Sequence, residues 1–119
     1  MLDMPLVNTP HFEIVSQLAS GGVIRVCLAG DFDMNVGTAL SDALLAAARL
    51  PEVNQVVVDV QRTVFLDSHG VAGLIAGFEA ATQAERRFTV VNAHGMIRRV
   101  LDITGLSDLL IDNETQAAG

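Results

Sequence analysis

Apolar positions alternate at the start of the chain and recur at helical spacing further on. Residues 11–18 read as a strand, Gly21-Gly22 turns the chain, and residues 23–28 read as a second strand, which predicts a hairpin. After residues 29–33, the positions Val36, Leu40, Ala43, Leu44 and Ala47 share one narrow, alanine-rich face of a helix predicted over 35–50, with Pro51 as its stop. Residues 53–60 form a near-continuous β-branched run, the pattern of a mid-sheet strand buried on both faces. A second helix is predicted from Ser68 to about Glu85, with Val71, Leu74, Ile75 and Phe78 toward the core. Residues 88–91 read as a fourth strand, and 95–104 as a third helix with Ile97, Val100 and Leu101 inward and Gly105 as its C-terminal cap. Leu109, Leu110 and Ile111 read as a short last strand.

Helical crossovers between the later strands imply parallel pairing, whereas the opening hairpin is antiparallel. The expected fold is therefore α/β: a single domain with a mixed four- to five-stranded sheet and helices packed against it. Residues 1–10 read as an N-terminal extension, 11–112 as the domain and 113–119 as a flexible tail.

Composition narrows the class. A chain of 119 residues suits one domain, and with half of its residues apolar and 18% charged it is not intrinsically disordered. Its apolar runs fall short of the roughly 20 residues that cross a bilayer. The acidic Asp3 stands where a signal peptide carries a basic residue, and Cys27 is the only cysteine, so the expectation is a cytoplasmic protein without a disulfide framework. The net charge is −7, which disfavours nucleic acid and anionic membrane surfaces as partners.

All seven basic residues are arginine. Without lysine neither a Walker phosphate loop nor a Schiff base can be assembled. His11, His69 and His94 fall on separate elements without metal-ligand spacing, and the neighbours Ser68 and His69 point about 100° apart on a helix, away from a nucleophile–base geometry. No catalytic role, cofactor or metal is expected. Asp31, Asp33 and Asp67 near one sheet end, with Asp59 as acceptor, have the look of a phospho-accepting receiver domain, but that family also relies on a lysine that this chain lacks.

The most informative stretch is Phe65-Leu66-Asp67-Ser68-His69-Gly70-Val71, where an apolar strand end meets an amphipathic helix. A helix mouth carries unpaired N–H groups and partial positive charge, so Ser68 is a candidate phosphorylation site, or else Asp67 or Ser68 is simply the cap. Away from the core side, Gly73, Ala76, Ala80 and Gln83 make a face with no long side chain except Gln83, which suits close docking of a partner; alternatively, alanine is there only as a good helix former.

Four segments, Leu28-Ala29-Gly30-Asp31-Phe32-Asp33, Val57-Val58-Asp59-Val60, residues 65–71 and the run from Arg98 to Leu106, together resemble the STAS domain family, shared by sulfate transporters and anti-sigma factor antagonists. The resemblance covers about residues 12–111. It implies a small domain that binds proteins and catalyses nothing. In the antagonist branch the partner is an anti-sigma factor that is itself an ATP-dependent serine kinase; phosphorylation of the serine at the position of Ser68 breaks the complex, and a serine phosphatase restores it. The resemblance then implies a partner surface of Asp31, Asp33, Asp67, His69, Gly70, Gly73 and Ala76. In it Asp67 positions or presents the hydroxyl, Gly70 keeps the helix entry accessible, and Asp31 and Asp33 shape a neighbouring contact loop. Asp33 equally suits a cap for the helix near Asn35. His69 departs from the pattern, since a small residue usually follows the phospho-acceptor. The alternative is a constitutive STAS scaffold or subunit of a stress-signalling or lipid-transport complex. Oligomeric state is left open.

Overall fold

A computed structural model describes residues 12–33, 36 and 38–111. The expected extension, the strand start at His11, the helix start at Asn35 and the tail beyond Ile111 lie outside the described residues. The elements are β1 (Phe12–Ala19), β2 (Val23–Phe32), α1 (Ala39–Arg49), β3 (Gln55–Leu66), α2 (Ser68–Gln83), β4 (Arg87–Val91), α3 (Gly95–Ile103) and the single turn α4 (Ser107–Leu110).

The four strands lie in sequence order, β1-β2-β3-β4. β1 pairs antiparallel with β2 through a turn at Ser20–Gly22, and β2–β3 and β3–β4 are parallel, as the hairpin followed by helical crossovers requires. Val56, Val57 and Val58 are all buried, the expected signature of a mid-sheet strand. One sheet face supplies Ile24, Val26, Leu28, Val56, Val58 and Val90 to the core, which Leu40, Leu44, Leu74, Ile97 and Leu101 complete from the helices. Burying one such side chain contributes on the order of 1.5–3 kcal/mol. The alternate positions, Arg25, Cys27, Val57, Asp59 and Thr89, form the opposite face.

Four elements differ from expectation. β2 does not end at Leu28 but runs to Phe32, and β3 runs to Leu66, because the pairing accommodates register shifts between Cys27 and Ala29 and between Gly30 and Asp31. Such bulges put an extra residue in one strand, and Gly30, at φ +95°, takes a conformation that a side chain would oppose there. Residues 29–33, read as a connection, are thus mostly strand. α1 starts at Ala39, with Thr38 at its N-cap position, and ends before Pro51 as expected. Its C-terminal carbonyls at Ala48 and Leu50 accept from the Arg86 guanidinium at 3.3 and 3.4 Å, a cation placed where the helix dipole favours it. Finally, the segment expected as a last strand is mostly the turn α4, with Ile111 alone bridging Val90 in parallel.

Candidate functional site at the mouth of the second helix

The two bulges deliver β3 to the end of the sheet beside β2, where the Asp67 N–H donates to the Phe32 carbonyl at 3.2 Å. Asp67 is extended (φ −106°, ψ −167°) and is the N-cap of α2. Its Oδ1 accepts from the backbone N–H of His69 at 2.8 Å and of Gly70 at 3.3 Å. Partial burial of the carboxylate works to raise its pKa, but these two N–H groups and the nearby imidazole outweigh it, so Asp67 lies below the usual aspartate value. The His69 ring adds a contact, Nδ1 lying 3.5 Å from Asp67 Oδ2.

Ser68 is the first helical residue and is exposed. Since Asp67 makes the cap, the Ser68 hydroxyl is not spent on it. The N–H groups of His69 and Gly70, the natural cradle for an anion, are already engaged by a carboxylate. The Ser68 hydroxyl therefore stands exposed beside the Asp67 carboxylate.

Gly70 is buried, and a Cβ there would lie 2.6 Å from the Phe32 carbonyl oxygen and against Leu66 Cδ1. Its role is to let the helix entry sit directly on the ends of β2 and β3, so the expectation that it keeps the entry accessible is corrected. Gly73 is half-buried with Leu40 of α1 over it, a Cβ falling 2.9 Å from Leu40 Cδ2, and Gly77 is buried in the same way under Leu44. The small face at Gly73 is thus occupied within the chain: α1 docks there. Ala76 and Ala80 are half-buried, and the outward side of α2 is Ser68, His69, Ala72, Glu79, Thr82 and Gln83.

Asp31 pairs with Phe65 across β2–β3, so Asp31, Phe65 and the Asp67–Ser68 pair share one end of the sheet. Asp33 is half-buried; its carbonyl accepts from Val36 N–H at 2.9 Å, and it stands too far before Thr38 to cap α1. Among the described residues no three His, Cys, Asp or Glu side chains are placed to hold a metal ion. Asp59 lies away from this end, on the opposite sheet face, where it receives Arg25 at 2.7 Å, Asn92 at 3.0 Å and the Gln61 N–H at 2.9 Å. That placement separates it from Asp31 and Asp67, unlike a receiver site.

The sequence reading missed Val64, which is 67% exposed, and passed over Phe65, 39% exposed, as a mere strand end. Alternation alone would place Val64 on the buried face with Leu66; the second bulge decides otherwise, since Gly30 pairs with Thr63 and Asp31 with Phe65, leaving Val64 as the extra residue turned outward.

A family model described as "Mlab, STAS domain" matches residues 16–112. The chain belongs to the STAS family. Among solved STAS-like structures, an anti-sigma factor antagonist from Mycobacterium paratuberculosis is 29% identical, with 90% of this chain and 91% of that one covered at a TM-score of 0.73. The antagonist SpoIIAA in its unphosphorylated form is 17% identical over 87% of this chain and 92% of its own, at a TM-score of 0.72. The phosphorylated form of SpoIIAA, from Bacillus, is 16% identical over 89% and 98%, at 0.66. The two SpoIIAA comparisons speak for the STAS fold alone. Comparison with curated protein sequences gives no match. Among the described residues no helix of this STAS domain is long and apolar enough to cross a membrane.

Proposed function

We propose that the chain is an anti-sigma factor antagonist that binds an anti-sigma serine kinase through the surface around Ser68, and that phosphorylation of Ser68 by that kinase breaks the complex. The observation that carries this reading is the exposed Ser68 hydroxyl at the first position of α2, left out of the cap that Asp67 makes. The antagonist role of the mycobacterial relative, 29% identical over 90% of this chain, supports it. In this reading the kinase packs on Val64, Phe65, Asp31, Ser68, His69 and the outward side of α2. Gly70 and Gly73 act from beneath, by setting where α2 lies.

Phosphorylation adds about −1.5 to −2 charges. Because Asp67 is ionised at neutral pH and already holds the nearest N–H donors, the new charge is not absorbed by the domain. It falls on the interface, beside exposed apolar side chains whose burial against a partner it opposes. Loss of binding then requires no refolding, and a phosphatase restores the original surface by removing one group.

The test is binding to the anti-sigma kinases of the same genome with wild type, Ser68→Ala and Ser68→Asp, together with intact mass after incubation with ATP. One added phosphate in wild type and none in Ser68→Ala, with binding retained by Ser68→Ala and weakened by Ser68→Asp, is the expected result. A kinase that binds all three equally and adds no phosphate would overturn the switch. It would favour the second reading, a constitutive STAS subunit, which has in its support that the matching family model is described by a STAS domain and not by an antagonist.

A further inference from the structure

The sheet face opposite the core carries a second built feature, away from Ser68. Cross-strand register places Arg25, Val57 and Thr89 in one row over β2, β3 and β4. Above this row lies a half-open pocket of about 490 Å³, lined also by Gln55, Asn92, Arg98 of α3 and Ile111. Its volume falls within the range of small-molecule sites, about 300–1,000 Å³. None of the residues that line it belongs to the surface around Ser68.

Thr89 is 6% exposed, and among the described residues its Oγ1 has no hydrogen-bond partner. An unpaired buried hydroxyl is costly, and a threonine on a strand could be exchanged for valine without loss of shape. Around it the pocket offers donors. The Arg25 guanidinium is held through Nη2 by Asp59 at 2.7 Å, and Asp59 also accepts from Asn92 Nδ2 at 3.0 Å. Arg98 Nε is held by Asp102 at 3.0 Å. Each guanidinium has five N–H donors and spends only part of them on its carboxylate, so both planes are oriented with N–H groups to spare. Among the described residues no acidic side chain lines the pocket itself. On a chain of net charge −7 this is a distinctive patch. Val57 and Ile111 contribute an apolar part of the wall.

We infer that this pocket binds a small organic oxyanion, its charged group on Arg25 and Arg98, its apolar body against Val57 and Ile111, and a hydrogen bond to the Thr89 hydroxyl. Asp59 and Asp102 serve as positioning residues that fix the two guanidinium groups. The site is independent of the kinase-binding surface and of whether Ser68 is phosphorylated.

Phenyl phosphate is a suitable probe, titrated into the ¹⁵N-labelled full chain, with inorganic phosphate and benzyl alcohol as separate controls. Saturable amide shifts centred on Val57, Thr89, Asn92 and Ile111 are expected with phenyl phosphate and not with either control. Thr89→Val, which keeps shape and removes an unpaired hydroxyl, is expected to retain the fold and weaken binding about tenfold, as is Arg98→Gln. Ser68→Asp is expected to leave the titration unchanged. Absence of saturation into the millimolar range, equal shifts with inorganic phosphate alone, or an affinity indifferent to both Thr89→Val and Arg98→Gln would each overturn the inference.

Discussion

Asp67 decides what Ser68 is free to do. Two residue types that both cap helices stand side by side, and the one in extended conformation wins the N–H groups of His69 and Gly70. Replacing Asp67 by alanine is expected to cost about 1 kcal/mol of stability, read as a lower urea midpoint, and Asp67→Asn far less, since asparagine caps nearly as well. The pH dependence has a definite sign. The folded-state pKa of Asp67 is depressed, so its contribution is fully present above the unfolded value of about 3.9 and is lost as the pH falls through the folded value. The gap between wild type and Asp67→Ala should therefore narrow on acidification. At Gly70 the constraint is steric: alanine would meet the Phe32 carbonyl at 2.6 Å, a backbone atom that cannot rotate aside. Gly70→Ala is expected to destabilise the fold by about 1–3 kcal/mol despite alanine's better helix propensity, measurable by the same unfolding assay.

Between elements, the contact that organises the helical layer is α1 on α2, with Leu40 over Gly73 and Leu44 over Gly77. The apolar period of α2 alone marks Val71, Leu74, Ile75 and Phe78 as its buried side and leaves the glycines on a face that looks free. Helix–helix contact changes that assignment, because a residue without a side chain is where a neighbouring leucine comes closest. Gly77→Ala is expected to cost about 1–3 kcal/mol by overpacking, and Leu44→Ala about 2–5 kcal/mol by leaving a cavity. Because each change makes room for or fills the other, the double variant should be more stable than the sum of the two costs by at least about 0.5 kcal/mol. Additive costs in urea unfolding would show that the two residues do not share this contact. The strands were legible in type but short in extent: β2 and β3 continue through bulges, and a bulge breaks the alternation by which a strand is read.

For the whole molecule, the carboxylates of Asp59 and Asp67, on different faces of the sheet, respond to pH in the same direction. Burial works to raise the Asp59 pKa, but hydrogen bonds from Asn92, the Gln61 N–H and Arg25 outweigh it and hold the carboxyl below its usual value. Like Asp67 it contributes stability above the unfolded pKa and loses it below. The urea midpoint is expected to fall between pH 7 and pH 3, and to fall less steeply in Asp59→Asn, whose side chain does not titrate there; an identical slope in the variant would remove Asp59 from the account.

The sequence by itself determined the order of elements as far as the third helix, the hairpin followed by parallel strands, and the serine at the mouth of the second helix. These follow from periods and caps that span only a few neighbouring residues, and from the motif run that resembles STAS domains. The tertiary structure decided which acidic residue caps, which glycines are filled by α1, and that Val64 and Phe65 stand exposed beside Ser68. It also decided that Arg25, Val57 and Thr89 form one row. Those properties depend on strand register and helix docking between residues tens of positions apart, where a shift of one residue would turn each side chain to the other face.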